Sequence, residues 1–111
     1  MDHRKTIRLY YDNVIPCYTK TPLVLERGRG TRVWDAQGNE YLDFFPGWAV
    51  SGIGHCHRRV TEAIKRQSES LIHVSNNYYH EHQALLAETL IRHSFPGKVF
   101  LCNSGAEANE A

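Results

Sequence analysis

Val99-Phe100-Leu101-Cys102-Asn103-Ser104-Gly105-Ala106-Glu107-Ala108-Asn109-Glu110-Ala111 decides how this sequence is read. Val99 to Cys102 is a short apolar run with β-branched and aromatic content, which predicts an interior strand. Ala106 to Ala111 contains only residues that helices tolerate or favour. Between them Ser104 and Glu107 stand at the Ser-x-x-Glu spacing of a capping box, where each side chain satisfies an orphan donor of the first turn. Gly105 lets a ligand approach the backbone closely. A strand, a small-residue turn and a helix N-terminus make an anion site, because free N–H groups and the helix dipole point at the turn. The Ser104 hydroxyl either joins that site or only caps the helix. A Walker-type phosphate loop is excluded, since no Gly-Lys-Ser/Thr follows, and Gly105 lacks the partner glycines of a dinucleotide fingerprint.

Working back from this stretch, Phe95-Pro96-Gly97 closes a predicted helix over His80 to His93, whose apolar stripe is Ala84, Leu85, Ala87, Leu90 and Ile91. An earlier helix carries Val60, Ala63, Ile64, Gln67 and Leu71 at helical spacing. Phe44 to Gly54 holds too many prolines and glycines for a regular element. Thr31-Arg32-Val33-Trp34 and Glu40-Tyr41-Leu42-Asp43 flank the turn-rich Asp35-Ala36-Gln37-Gly38-Asn39 and predict a hairpin. Leu23-Val24-Leu25-Glu26 predicts a strand closed by a Gly28-Arg29-Gly30 turn. Residues 1–20, with Pro16 and Pro22 restricting the backbone, read as an extended or loosely helical arm. Short strands followed by helix, helix, strand and helix give an α/β fold class with a small antiparallel segment first.

The chain has 111 residues, the size of one small domain, and a net charge of +1, which favours neither nucleic acid nor an anionic membrane. No apolar run is long enough for a transmembrane span, and the first residues lack the apolar core of a secretory signal. Cys17, Cys56 and Cys102 are irregularly spaced, which argues for reduced thiols in a cytoplasmic protein. His55-Cys56-His57 has the His-x-His spacing of a metal pair, but no third ligand is spaced to complete a site, so these are read as turn histidines and no metal is expected. His73, His80, His82 and His93 read as solvated or capping groups.

Asn103-Ser104-Gly105-Ala106-Glu107-Ala108-Asn109-Glu110 closely resembles the phosphate-cradling turn of the class III, pyridoxal-phosphate-dependent aminotransferases, and within them the acetylornithine/ornithine branch. The resemblance runs from about Tyr11 onward. It includes Leu25 to Phe44, the Gly54-His55-Cys56-His57 element and the stretch Gln67 to Asn77. Arg58 stands where the family usually has proline. The resemblance implies the N-terminal portion of a fold-type-I transferase: residues 1–57 as the arm and β segment of the small domain, and residues 58–111 as the truncated start of the large cofactor-binding domain.

It further implies pyridoxal 5′-phosphate as cofactor, with Ser104, Gly105 and Ala106 at its phosphate, and Tyr18 and Trp48 in the substrate pocket. The implied partners are an amino donor, 2-oxoglutarate and a second copy in a homodimer with interfacial active sites. The implied reaction moves an amino group from N-acetylornithine or a related ω-amine to 2-oxoglutarate, within arginine metabolism. Ornithine, succinylornithine or 4-aminobutyrate as donor, or a non-catalytic piece of a split protein, are the alternatives. Lys5, Lys20, Lys65 and Lys98 are the lysines present, and none lies in the context of the family's Schiff-base lysine. That lysine is expected beyond Ala111, so the 111 residues alone are expected to show no turnover with pyridoxal phosphate.

Overall fold

The computed structural model describes residues 2–111. Two compact units divide between Ser70 and Leu71. The first unit opens with α1 (His3–Asn13), followed by β1 (Leu25–Arg29), β2 (Arg32–Asp35), β3 (Glu40–Leu42) and α2 (Arg58–Ser70). The second holds α3 (Glu81–Arg92) and α4 (Gly105–Glu110). The arm is thus a regular helix for most of its length. The Thr6 N–H and hydroxyl both bond to the Asp2 carbonyl, and the Val14 N–H closes the other end on the Tyr10 carbonyl.

The strands form one antiparallel sheet in the order β1-β2-β3. Gly28 and Arg29 belong to β1 instead of to a turn, and the connection is the two residues Gly30 and Thr31, with Gly30 at φ 58°. Gly28 is needed there because a Cβ would lie 2.6 Å from the His55 ring. Glu26 bulges out between Leu25 and Arg27, and Arg27 then stacks its guanidinium over the ring of its partner Trp34 at 4.0 Å. The same face carries the Arg32–Glu40 ion pair.

The other face of β2 holds Val33 (7% exposed) and Asp35 (3%), the buried pair among the described residues. Alternation along a strand puts them on the same side. The Asp35 carboxylate closes the β2–β3 connection. One oxygen accepts from the Gln37 and Asn39 N–H groups, both at 2.9 Å. The other accepts from the Asn39 amide at 3.0 Å and the Tyr41 hydroxyl at 2.8 Å. These bonds, the Asn39 side chain foremost, outweigh the cost of burial and lower Asp35 from 3.8 to about 2. The same contact raises Tyr41.

The predicted strand Val99 to Cys102 does not form: the three strands among the described residues pair with one another, and a run without a neighbour has no ladder to join. Both longer predicted helices form. Their apolar stripes stay exposed, with Val60, Ile64, Leu85 and Leu90 all accessible. His80 and His93 occupy the cap positions of α3, where His80 makes no side-chain cap bond.

Because folding holds Asp35 below its ordinary value, its contribution to stability is complete above about pH 4 and is lost as pH falls toward 2. Asp35→Asn should lower the urea midpoint of the protein at pH 7. It should also flatten the acid limb of its stability curve, as followed by circular dichroism.

Candidate functional site

Ser104 sits in extended backbone at the start of α4, with φ −147° and ψ 157°. Its hydroxyl oxygen accepts from the Glu107 N–H at 3.2 Å and donates to the Glu107 carboxylate at 3.0 Å. The same carboxylate oxygen accepts from the Asn103 N–H at 2.9 Å. The predicted capping box therefore forms, with Glu107 reaching one residue further back to Asn103. The Ser104 carbonyl takes the Ala108 N–H at 3.1 Å.

The amides of Gly105 and Ala106 are left without an acceptor among the described residues. A Cβ on Gly105 would meet nothing within 4 Å, and its φ is not left-handed. Neither crowding by this chain nor backbone strain requires glycine there. Open space beside two free first-turn amides fits a phosphate: donors, room and the positive end of the helix coincide. The two roles of Ser104 are also compatible. Its cap to Glu107 uses a lone pair, so the O–H can rotate from the carboxylate to a phosphate oxygen without breaking that cap.

Tyr18 lines a cleft of about 480 Å³ in the first unit, together with Thr6, Tyr10, Lys20 and Leu23. Tyr18 is 78% exposed, and the Lys20 ammonium lies 5.8 Å from its ring and 4.8 Å from the ring of Tyr10. Trp48 does not line that cleft. It projects from the Phe44–Gly54 loop, 89% exposed, so it is not a core residue, and its backbone is left-handed at φ 57°. Its ring packs edge-on to Phe45, with centroids 5.9 Å apart.

His55 and His57 part company. The backbone of His55 pairs with Gly30 in both directions, at 2.9 and 2.8 Å, and its Nε2 lies 2.6 Å from Asp43. An ionised carboxylate only accepts, so His55 donates. This bond, with a second from the Phe45 N–H, lowers the Asp43 pKa. His57 is exposed, and its carbonyl receives the Val60 and Thr61 N–H groups at the start of α2. No three His, Cys, Asp or Glu side chains among the described residues are grouped to hold a metal. The sequence reading missed the Asp43–His55 pair, whose signal was an aspartate ending a strand ahead of the Gly-His-x-His turn. No described helix is long and apolar enough to cross a membrane.

The aminotransferase class-III family profile matches residues 15–111. The chain belongs to the class-III aminotransferases. Among its relatives, the acetylornithine aminotransferase of Caldanaerobacter subterraneus subsp. tengcongensis is 57% identical over 93 residues, which are 84% of this chain and 24% of that protein. The crystal structure of acetylornithine aminotransferase from Elizabethkingia anophelis superposes with a TM-score of 0.91 at 31% identity, covering 99% of this chain and 29% of the other. The ornithine aminotransferase of Toxoplasma gondii, described with partial occupancy of pyridoxal phosphate at its active site, superposes at 0.90 with 33% identity, over 98% and 26% of the two chains. This class-III chain thus spans about a quarter of the length of these relatives and has the fold of the corresponding aminotransferase segment.

Ser104→Ala removes the acceptor for the Glu107 N–H and should cost about 1 kcal/mol at the start of α4. Hydrogen exchange at the Glu107 amide should accelerate accordingly in the parent protein, and Ser104→Thr should largely restore it.

Proposed function

We propose that this chain is the N-terminal part of a pyridoxal-phosphate-dependent aminotransferase that moves an amino group from N-acetylornithine or a related ω-amino donor to 2-oxoglutarate. The products are the donor's semialdehyde and glutamate. The observation that carries the reading is the pair of free amides at Gly105 and Ala106, set beside open space in the turn that resembles the family's phosphate cradle. The identity of 57% to an acetylornithine aminotransferase favours that donor.

In this reading Gly105 and Ala106 hold the cofactor phosphate through their N–H groups, and the Ser104 hydroxyl adds a third donor. When bound, the cofactor supplies the electron sink for the amino-group exchange. Tyr18 and Trp48 contact the donor. Tyr18 offers a hydroxyl that can orient the donor's distal group, and Trp48 an apolar wall beside its methylene chain. Residues 1–57 belong to the enzyme's small domain, and residues 58–111 begin its large domain. The exposed stripes of α2 and α3 are then the faces against which the rest of the enzyme packs, since an amphipathic helix needs such cover. The enzyme works as a homodimer in the cytoplasm and serves arginine metabolism.

The test is to assay the full-length gene product with N-acetylornithine, succinylornithine, ornithine and 4-aminobutyrate against 2-oxoglutarate. The highest kcat/KM is expected for N-acetylornithine, and the absence of transamination with all of them would refute the reading. Gly105→Val should weaken pyridoxal phosphate binding by at least about tenfold, roughly 1.4 kcal/mol. His57→Ala should leave cofactor affinity within about twofold, well inside 1 kcal/mol.

A further inference from the structure

The Phe44–Gly54 loop is irregular, yet both of its ends are fixed. At one end Asp43 follows β3 and bonds through its N–H to the Thr31 carbonyl at 2.8 Å. At the other, His55 pairs twice with Gly30. The approach is so close that a Cβ on Gly54 would lie 3.0 Å from the Gly30 backbone, and Gly54 itself sits at φ 86°. Between these ends the loop is a run of tight turns: Ser51 N–H to Pro46 carbonyl at 2.8 Å, Val50 to Gly47 at 3.2 Å, and Gly54 to Ser51 at 2.8 Å.

Each oxygen of the Asp43 carboxylate has its own partner. One accepts from His55 Nε2 at 2.6 Å, and the other from the Phe45 N–H at 2.9 Å. The Phe45 ring in turn meets the edge of Trp48 at 84°. Three residues, His55, Asp43 and Phe45, thus connect the sheet to the exposed indole of Trp48. Trp48 and Ala49 both hold positive φ, at 57° and 69°, a strain that non-glycine residues adopt when the surroundings impose it and that clusters at ligand clamps. The positive-φ backbone and the contact with Phe45 fix how the indole is presented.

We infer that Asp43 and His55 form a latch that positions Trp48, fixing the indole as the wall against which the methylene chain of the ω-amino donor packs. The latch rests on the aminotransferase reading above and adds a specificity-determining pair to it. His55 and Asp43 touch neither donor nor cofactor in this scheme; they act through Phe45 and Trp48.

The test uses the full-length holoenzyme and measures KM and kcat for each substrate. His55→Ala should raise the donor KM about tenfold, as a displaced contact residue does. The 2-oxoglutarate KM and the cofactor content should stay within about twofold of wild type, far below the loss that displacing a contact residue causes. His55→Gln, whose amide can still donate to Asp43, should recover most of the donor KM. The double variant His55→Ala/Trp48→Ala should be no worse than Trp48→Ala alone, because the two act on one contact.

If His55→Ala does not accumulate as folded protein, His55→Phe keeps a ring against Gly28 but no donor for Asp43, and it should give the same donor-selective rise. Additive effects of His55→Ala and Trp48→Ala, or equal loss for both substrates together with cofactor, would overturn the latch. So would a donor KM unmoved by Trp48→Ala in an enzyme that still transaminates, and in that case the aminotransferase reading stands. An enzyme that transaminates no ω-amino donor refutes both.

Discussion

The convergence of four donors on the Asp35 carboxylate is the constraint from which the first unit is built. A buried carboxylate is unfavourable unless its lone pairs are filled, and here each oxygen is filled twice. The only chain path that brings Gln37, Asn39 and Tyr41 to Asp35 is a tight reversal from β2 into β3. That reversal sets the register Val33 to Tyr41 and Arg32 to Leu42, which delivers Asp43 to the end of the sheet. From there Asp43 reaches His55, and the loop that bears Trp48 is closed. The Asp35 turn and the Asp43–His55 pair thus act in sequence on the loop that carries Trp48, thirteen residues after Asp35.

Much of this was legible in the sequence, and what was not has a physical reason. The β2–β3 hairpin announced itself through its turn-forming insert, and α2 and α3 through their apolar periodicity. The capping box was readable because its two members are local, three residues apart. Gly28 misled the reading because a glycine normally signals a turn, whereas here it makes room for a ring that arrives from His55. That packing partner lies far along the chain, and no local pattern encodes it. The strand at Val99 to Cys102 was inferred from composition, but a strand exists only with a hydrogen-bonded neighbour. The exposure of Trp48 likewise had no local signal, because it follows from the turn geometry of its loop.

The family relation and the local geometry support one another without being the same argument. Similarity to acetylornithine and ornithine aminotransferases extends over nearly the whole chain, but over only about a quarter of those proteins. Independently, the start of α4 offers the unspent first-turn amides that a helix N-terminus leaves, here beside an uncrowded glycine. The Ser104–Glu107 box holds that turn in shape, so the donors are oriented before any anion arrives. Preorganisation of this kind lowers the ordering cost of binding. The proposed Asp43–His55 latch does the same for Trp48 in the first unit.

The first-turn amides of α4 are proposed to hold the phosphate of the cofactor. Amide hydrogen exchange of the full-length protein, compared without ligand, with pyridoxal phosphate and with pyridoxal, reads that contact at the two amides themselves. Slowed exchange at Gly105 and Ala106 is predicted with pyridoxal phosphate and not with pyridoxal. Unchanged exchange at both amides in cofactor-saturated protein would contradict the claim.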